Sequence, residues 1–254
     1  MIIILSPAKT MDFTAQHQVN TYSQPQFMKQ TAAIVEVLQR FSITQLSELM
    51  SVSNSLATLN YERYQTWNPA PGMSKQAILA FDGDVYDGLD SGSLPPETLL
   101  QAQEKVRILS GLYGILRPLD LIQPHRLEMG TRLGIGSHPN LYSFWKDKIA
   151  PALQSALNES GSHDLINLAS EEYFRSIDPS AINMKLITPE FRDLKNGKYK
   201  MISFYAKRAR GLMTRFVLDN NIQDPEDLRA FDKDGYLYNS GMSRPGKPVF
   251  TRDK

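Results

Sequence analysis

The stretch MIIILSPAKT (residues 1–10) decides how the rest of the chain is read. Four aliphatic side chains, Ile2 to Leu5, stop at the turn pair Ser6-Pro7. No basic region precedes them and no apolar run long enough for a leader follows, so they read as a first strand and not as a secretion signal. Outward from there, short apolar runs keep ending in turn residues and leading into helix-like spacing. The runs are AILAF (77–81) before Asp82-Gly83, VRILSG (106–111) before LYGIL, and DLINLAS (164–170) before EEYFRSI. That alternation is the signature of mixed α/β architecture. KLITPEF (185–191) and YKMISFYA (199–206) flank Asn196-Gly197, and Asn-Gly between two such runs signals a hairpin, so an antiparallel pair is expected over 185–206 and the sheet is expected to be mixed.

Between the first two predicted strands the period changes to that of helices. FMKQTAAIVEVLQRF (27–41), TQLSELM (44–50) and SNSLATLNYERYQTW (53–67), the last opening on Ser53-Asn54 as a cap, predict three helices on short connections. WNPAPGMS (67–74) is the loop nearest to a linker, and there is no internal repeat. The expected organisation is one α/β domain over 1–254, a mixed sheet flanked by helices, with a helical subdomain at 25–68 inside it.

Composition narrows the chemistry. The 254 residues carry 28 Lys and Arg against 27 Asp and Glu, with 41% hydrophobic and 22% charged residues, values of an ordinary soluble globular protein. No apolar run approaches the ~18 residues that span a bilayer, so a cytoplasmic protein without membrane partners is expected. Zero cysteine removes disulfides, thiolate nucleophiles, iron–sulfur ligation and thiol redox sensing together. His17, His125, His138 and His163 lack the close spacing of local metal motifs; no metal and no cofactor are expected.

One segment departs from this balance. From Leu194 to Leu218 there is no acid, while Lys195, Lys198, Lys200, Lys207, Arg208, Arg210 and Arg215 carry seven positive charges. On a helical wheel over 204–218, Lys207, Arg208, Arg210, Gly211 and Arg215 share an arc of roughly 160°. Tyr205, Ala206, Ala209, Leu212, Met213, Phe216 and Val217 fill the other arc. A basic face is ordinarily just solvated, but solvated faces mix signs and this one does not, which favours an anionic ligand. Gly211 on that face costs about 1 kcal/mol of helix propensity and allows a phosphate or a neighbouring backbone to come close.

Other stretches offer weaker candidates. LSGLYGILRPLDLIQPHRLEMGTRL (109–133) places Arg117, Arg126 and Arg132 in a loop after a predicted strand, where α/β folds build sites; pairing with Asp120 and Glu128 explains them equally well. Lys9 follows the first strand and is either a phosphate contact, a nucleophilic amine or a surface lysine. DGDVYDGLD (82–90) is acidic but lacks the sixth-position glycine and the distal glutamate of a calcium loop, so it reads as an acidic turn. GIG (134–136) is too short for a dinucleotide fingerprint, and no nucleophile elbow anchors a Ser-His-Asp triad. Residues 44–67 read as two helices on a tight turn, the geometry by which helix-hairpin-helix modules offer N–H groups to DNA phosphates, although the usual glycine is missing and Glu48 and Glu62 do not favour phosphate.

Taken together, ILSPAKTMDF (4–13), AILAFDGDVYDGL (77–89), LSGLYGILRPLDLIQPHRLEMG (109–130), INLASEEYF (166–174) and KMISFYAKRARGLMTRF (200–216) resemble, in order and spacing, the YaaA family of bacterial peroxide-stress proteins. His125 departs from the Tyr more usual there. The resemblance implies a single α/β domain of unusual topology and a cytosolic protein induced by hydrogen peroxide. It further implies a link to lowering free iron, so that Fenton chemistry damages less DNA, and DNA binding through a basic cleft with a helix-hairpin-helix element, here 44–67. Charge, not the resemblance, nominates Lys9, Arg117, Arg126, Arg132, Lys207, Arg208, Arg210 and Arg215 as its residues, with double-stranded DNA as the partner. The alternative is an enzyme acting on a nucleobase, nucleotide or nucleic acid, with Lys9 as nucleophile or Schiff-base former among Tyr113, Glu128 and Tyr173. A third expectation is ferrous iron on Asp82, Asp84 and Asp87.

Overall fold

The computed structural model describes residues 1–14, 20–69 and 73–253; His17 and the centre of the 67–74 loop lie outside the described residues. Along the chain, β1 (Ile2–Leu5) and β2 (Thr10–Met11) precede α1 (Met28–Leu38), α2 (Ile43–Met50) and α3 (Asn54–Thr66). Next come β3 (Lys75–Gln76), α4 (Ala77–Ala80), β4 (Phe81–Asp82), α5 (Asp84–Leu89), α6 (Pro96–Lys105), β5 (Val106–Ser110), β6 (Gly114–Leu116) and β7 (Leu121–Ile122). Then follow α7 (Leu141–Glu159), β8 (Asp164–Leu168), α8 (Glu171–Phe174), β9 (Lys185–Ile187), β10 (Glu190–Lys195), β11 (Lys198–Lys200), α9 (Ser203–Asp219), β12 (Leu237–Tyr238) and β13 (Val249–Arg252).

β1 lies at the centre, in a five-stranded sheet of order β6-β5-β1-β8-β9. It runs parallel to both neighbours, Ile3 pairing with Val106 on one side and Ile166 on the other, and all four of its residues are fully buried. A central parallel strand is covered on both faces, which is why it reads as an unbroken apolar run. β9 continues the parallel set and β6 turns back against β5. A second sheet, β11-β10-β13-β12, joins β10 and β13 in parallel and is antiparallel elsewhere. The fold is therefore mixed α/β, but with two principal sheets where one was expected. KLITPEF is divided between them, because Pro189 has no N–H to donate to a continuing ladder.

Two further expectations are corrected. AILAF is not a strand: Ala77–Ala80 forms one helical turn between the two-residue strands β3 and β4. A short run buried on all sides carries no period to separate helix from strand. YKMISFYA is strand only to Lys200, and α9 begins at Ser203. The Asn-Gly hairpin does form, with Lys195 opposite Lys198 and both turn residues at positive φ (Asn196 +54°, Gly197 +71°).

The three helices predicted between the first strands are present. α2 starts on a capping box of Ser42 and Gln45, and α3 on Ser53, whose Oγ accepts from the Leu56 N–H. The two form an αα-hairpin in which Ser51, at φ +51°, occupies the left-handed position where a glycine was missed. Ile34, Leu38, Leu46 and Tyr64 run into the same apolar core as β1.

α9 is held by an unusually close helix crossing. A Cβ on Gly211 would stand 1.8 Å from the Val85 oxygen, and one on Gly88 of α5 would stand 2.1 Å from the Arg208 oxygen. Each helix thus presents a glycine to the other's backbone. Gly211→Ala is expected to lower the unfolding free energy by about 3 kcal/mol, because the clash is with backbone that has no rotamer to yield; urea unfolding at constant slope checks this.

Candidate functional site

The outgoing connections of β1 and β8 diverge. β1 leads to β5 on one side of the sheet and β8 leads to β9 on the other, so a crevice opens between their carboxyl ends, the position where open α/β sheets bind ligands. The first residues past the two strands meet there: the Ser170 N–H donates to Ser6 Oγ at 2.8 Å, and the two hydroxyls lie 3.3 Å apart. Tyr86 of α5 donates its hydroxyl to the Ser6 carbonyl at 3.1 Å, tying the helix to the strand end. Over this pair lies a cavity of about 280 Å³, bordered by Lys9, Asp82, Asp84, Glu172, Lys207 and Arg210.

Its cations differ in how far the protein satisfies them. Lys9, 63% exposed, pairs with Glu128 at 2.9 Å, and Arg126 reaches the same carboxylate at 3.0 Å. The Arg126 Nε is buried without a partner among the described residues. Lys207 stands 3.8 Å from Asp84. Arg210 is half-buried and has neither an ion pair nor a side-chain hydrogen bond among the described residues; burial holds its pKa below the ordinary arginine value.

The remaining predicted residues do not converge here. Arg215 donates to Asp219 of its own helix and to the Asp90 carbonyl and Ser93 hydroxyl beyond α5, at 2.8 to 3.0 Å, so it fastens α9 to α5 and faces no ligand. The expectation that this helix face has no acid within reach is corrected by Asp219, one residue past the acid-free window. Gly211 is likewise filled by the α5 backbone, leaving no room for phosphate. Arg208 is exposed and unpaired among the described residues but borders a different surface. Arg117 lies at a second cavity of about 350 Å³ with Arg107 and Asp120, and the exposed Arg132 borders neither.

Of the three groups expected around Lys9, Glu128 and Tyr173 share a narrow space with it, joined by Arg126 and His125. Tyr113 is buried against His125, does not border that space, and accepts from the Gln123 N–H. Burial, then the neighbouring Glu172 carboxylate, raise the Tyr173 pKa, so its hydroxyl stays protonated. Asp82, Asp84 and Asp87 form no iron site: among the described residues no three His, Asp or Glu side chains stand where one ion could be held. Ser6, Ser170 and Glu172 were not read from the sequence; the available signal was their position just past predicted strand ends.

His125 is a buried, neutral ring packed edge-on against Phe81 and Tyr113, with Nδ1 2.8 Å from the Gln123 carbonyl. Burial is the main force lowering its pKa from 6.5 to about 4.

The family described as "Peroxide stress protein YaaA" matches residues 1–242. A "UPF0246 protein" of Hahella chejuensis is 49% identical over 255 residues, covering all of both chains. Similar proteins of Shewanella pealeana and a Janthinobacterium are 48% identical over 256 and 254 residues, covering 98% or more of each chain. Among the described residues no helix is long and apolar enough to cross a membrane.

The unfolded chain binds a proton at His125 below pH 6.5 while the folded protein resists it down to about pH 4, so stability falls as pH drops through that window. Compared with the wild type, His125→Gln is expected to lack about 3 kcal/mol of this acid-dependent loss. Denaturant unfolding of both proteins at pH 7, 5.5 and 4 checks it.

Proposed function

Since the chain belongs to the YaaA family of peroxide stress proteins, we propose that it serves that response by binding double-stranded DNA through the phosphate backbone, on a basic surface formed by the β10–β11 hairpin and α9. One observation carries the reading. Lys195, Lys198, Lys200 and Arg208 are all exposed, and none has an ion pair among the described residues. Lys195 is opposite Lys198 in the ladder and Lys200 is two residues further, so the three lysines share one face of the hairpin. Clustered positive groups without counter-charges are the electrostatic footprint of nucleic-acid binding. The rings of Phe204 and Tyr205, exposed and 5.6 Å apart, follow the hairpin at the start of α9.

On this reading the α2–α3 hairpin, with Ser53, Asn54 and Ser55 exposed at the start of α3, supplies a second backbone contact. The protein acts in the cytoplasm, and the link to free iron and Fenton damage runs through DNA. With no cysteine, thiol peroxide reduction and thiolate iron ligation have no residue to use. The position of Lys9 beside Glu128 and Tyr173 supports a second reading, an enzyme on a nucleobase or nucleotide in which the Lys9 amine condenses with a substrate carbonyl and releases water. Borohydride trapping of an adduct that Lys9→Ala abolishes would carry it.

For DNA binding, anisotropy titrations of a labelled duplex across a salt series should give a slope of log K against log salt between about −3 and −4, four phosphates being neutralised. Lys198→Ala, Lys200→Ala and Arg208→Ala combined should weaken binding and bring the slope to about −1, while Arg215→Ala leaves it unchanged. An unaltered slope in the triple variant overturns the assignment.

A further inference from the structure

The crevice between β1 and β8 has a chemistry of its own, separate from the exposed basic surface. Two of its cations are matched by carboxylates, Lys9 by Glu128 and Lys207 by Asp84. Arg210 is not matched. A guanidinium carries five donors in a planar fork suited to a phosphate or carboxylate, and one taken partly out of water without an acceptor forgoes charge-assisted bonds that a ligand can restore. The Arg210 backbone adjoins Gly211, whose contact with α5 leaves it little freedom to move.

Acceptors stand elsewhere on the same wall. The Asp82 carboxylate has no hydrogen bond or ion pair among the described residues, and Glu172 spends one carboxylate oxygen on the Gly130 N–H at 3.0 Å, leaving the other open. Ser6 and Ser170, hydrogen-bonded to one another, line the space, while Pro7, Ala8 and Val85 supply an apolar stretch. A ligand that satisfies all of these is anionic at one end, rich in hydroxyl or amino donors at the other, and flat enough to lie on an apolar wall. At about 280 Å³ the cavity is far larger than inorganic phosphate requires and has the size of one small polar molecule.

We propose that this cavity binds a single nucleotide, its phosphate held by Arg210 with Lys207, its amino and hydroxyl donors facing Asp82 and Glu172, and its base against Pro7, Ala8 and Val85. The nucleotide comes either from the free pool or from a DNA strand, as a terminal or extruded residue; both present the same groups. The cavity takes Lys207 and Arg210 from α9 but none of Lys195, Lys198, Lys200 and Arg208, so nucleotide binding and duplex binding can fail independently.

Calorimetric titration of the full chain with adenosine 5′-monophosphate, ribose 5-phosphate and inorganic phosphate tests this at low salt. The monophosphate should bind at one site, at least tenfold more tightly than the other two. Arg210→Met should weaken it tenfold or more with an unchanged thermal melt. Glu172→Gln, at the opposite end, should weaken the nucleotide while leaving phosphate binding as it was, which keeps the test available if Arg210→Met does not fold. No saturable binding, equal binding by the Arg210 variant, or ribose 5-phosphate binding as tightly as the nucleotide would overturn the proposal. Saturating monophosphate that displaces a duplex with 5′-phosphate overhangs but not a blunt one identifies the DNA strand as the source; displacement of neither identifies the free nucleotide.

Discussion

The backbone-to-backbone contact of Gly88 and Gly211 is the constraint on which the rest of the arrangement depends. Each glycine costs its helix about 1 kcal/mol of propensity relative to alanine, and the cost is offset by an approach that no side chain permits. Once α9 lies against α5, three consequences follow. Arg215 reaches the carbonyl end of α5 and fastens the crossing. Lys207 comes within range of Asp84 at the start of α5. Arg210 is brought to the crevice over Ser6, which α5 grips from the other side through Tyr86. A helix from the second half of the chain thereby completes a site founded on its first strand.

A second anchor sets the other end of α9. Arg252, on the last strand, lies between the rings of Tyr205 and Tyr236, 4.5 Å from each centroid, and pairs with the buried Asp193 at 2.6 Å and with Asp234. The Tyr236 hydroxyl donates to the other oxygen of Asp193 at 2.9 Å. Removing either member of such a buried pair strands a charge in a low-dielectric interior, so the network binds β10, β13 and the start of α9 into one unit. The aromatic and lysine-bearing surface of the hairpin is therefore set in place at both of its ends.

What could be read from the sequence follows from how local each signal was. β1, β5 and β8 were legible because parallel strands covered on both faces give continuous aliphatic runs bounded by turns, and the Asn196-Gly197 hairpin because its turn demands those residues. AILAF misled for the same reason, since burial on all sides erases the period that separates a helical turn from a strand. The site was legible only in part. Lys9, Lys207 and Arg210 were found through charge, whereas Ser6 and Ser170 touch across 164 residues of chain and leave no spacing to recognise. The wheel placed Gly211 correctly among the basic residues and could not say which neighbour it was for.

Folding also redistributes the charge that made 194–218 conspicuous. Along the sequence the segment carries seven cations and no acid, yet acids of α5 and the end of α9 draw off Lys207 and Arg215, the one weakly and the other through several hydrogen bonds. The remainder divides by depth. Lys195, Lys198, Lys200 and Arg208 stay in water, where attraction to a polyanion is long-ranged and screened by salt. Arg210 is withdrawn into a crevice, where the strength of its interactions depends on geometry and partial desolvation more than on the field of the whole surface. The hairpin and the helix that follows it thus present two kinds of positive charge, an exposed set whose field is long-ranged and screened by salt and a sheltered guanidinium whose reach is short and set by geometry.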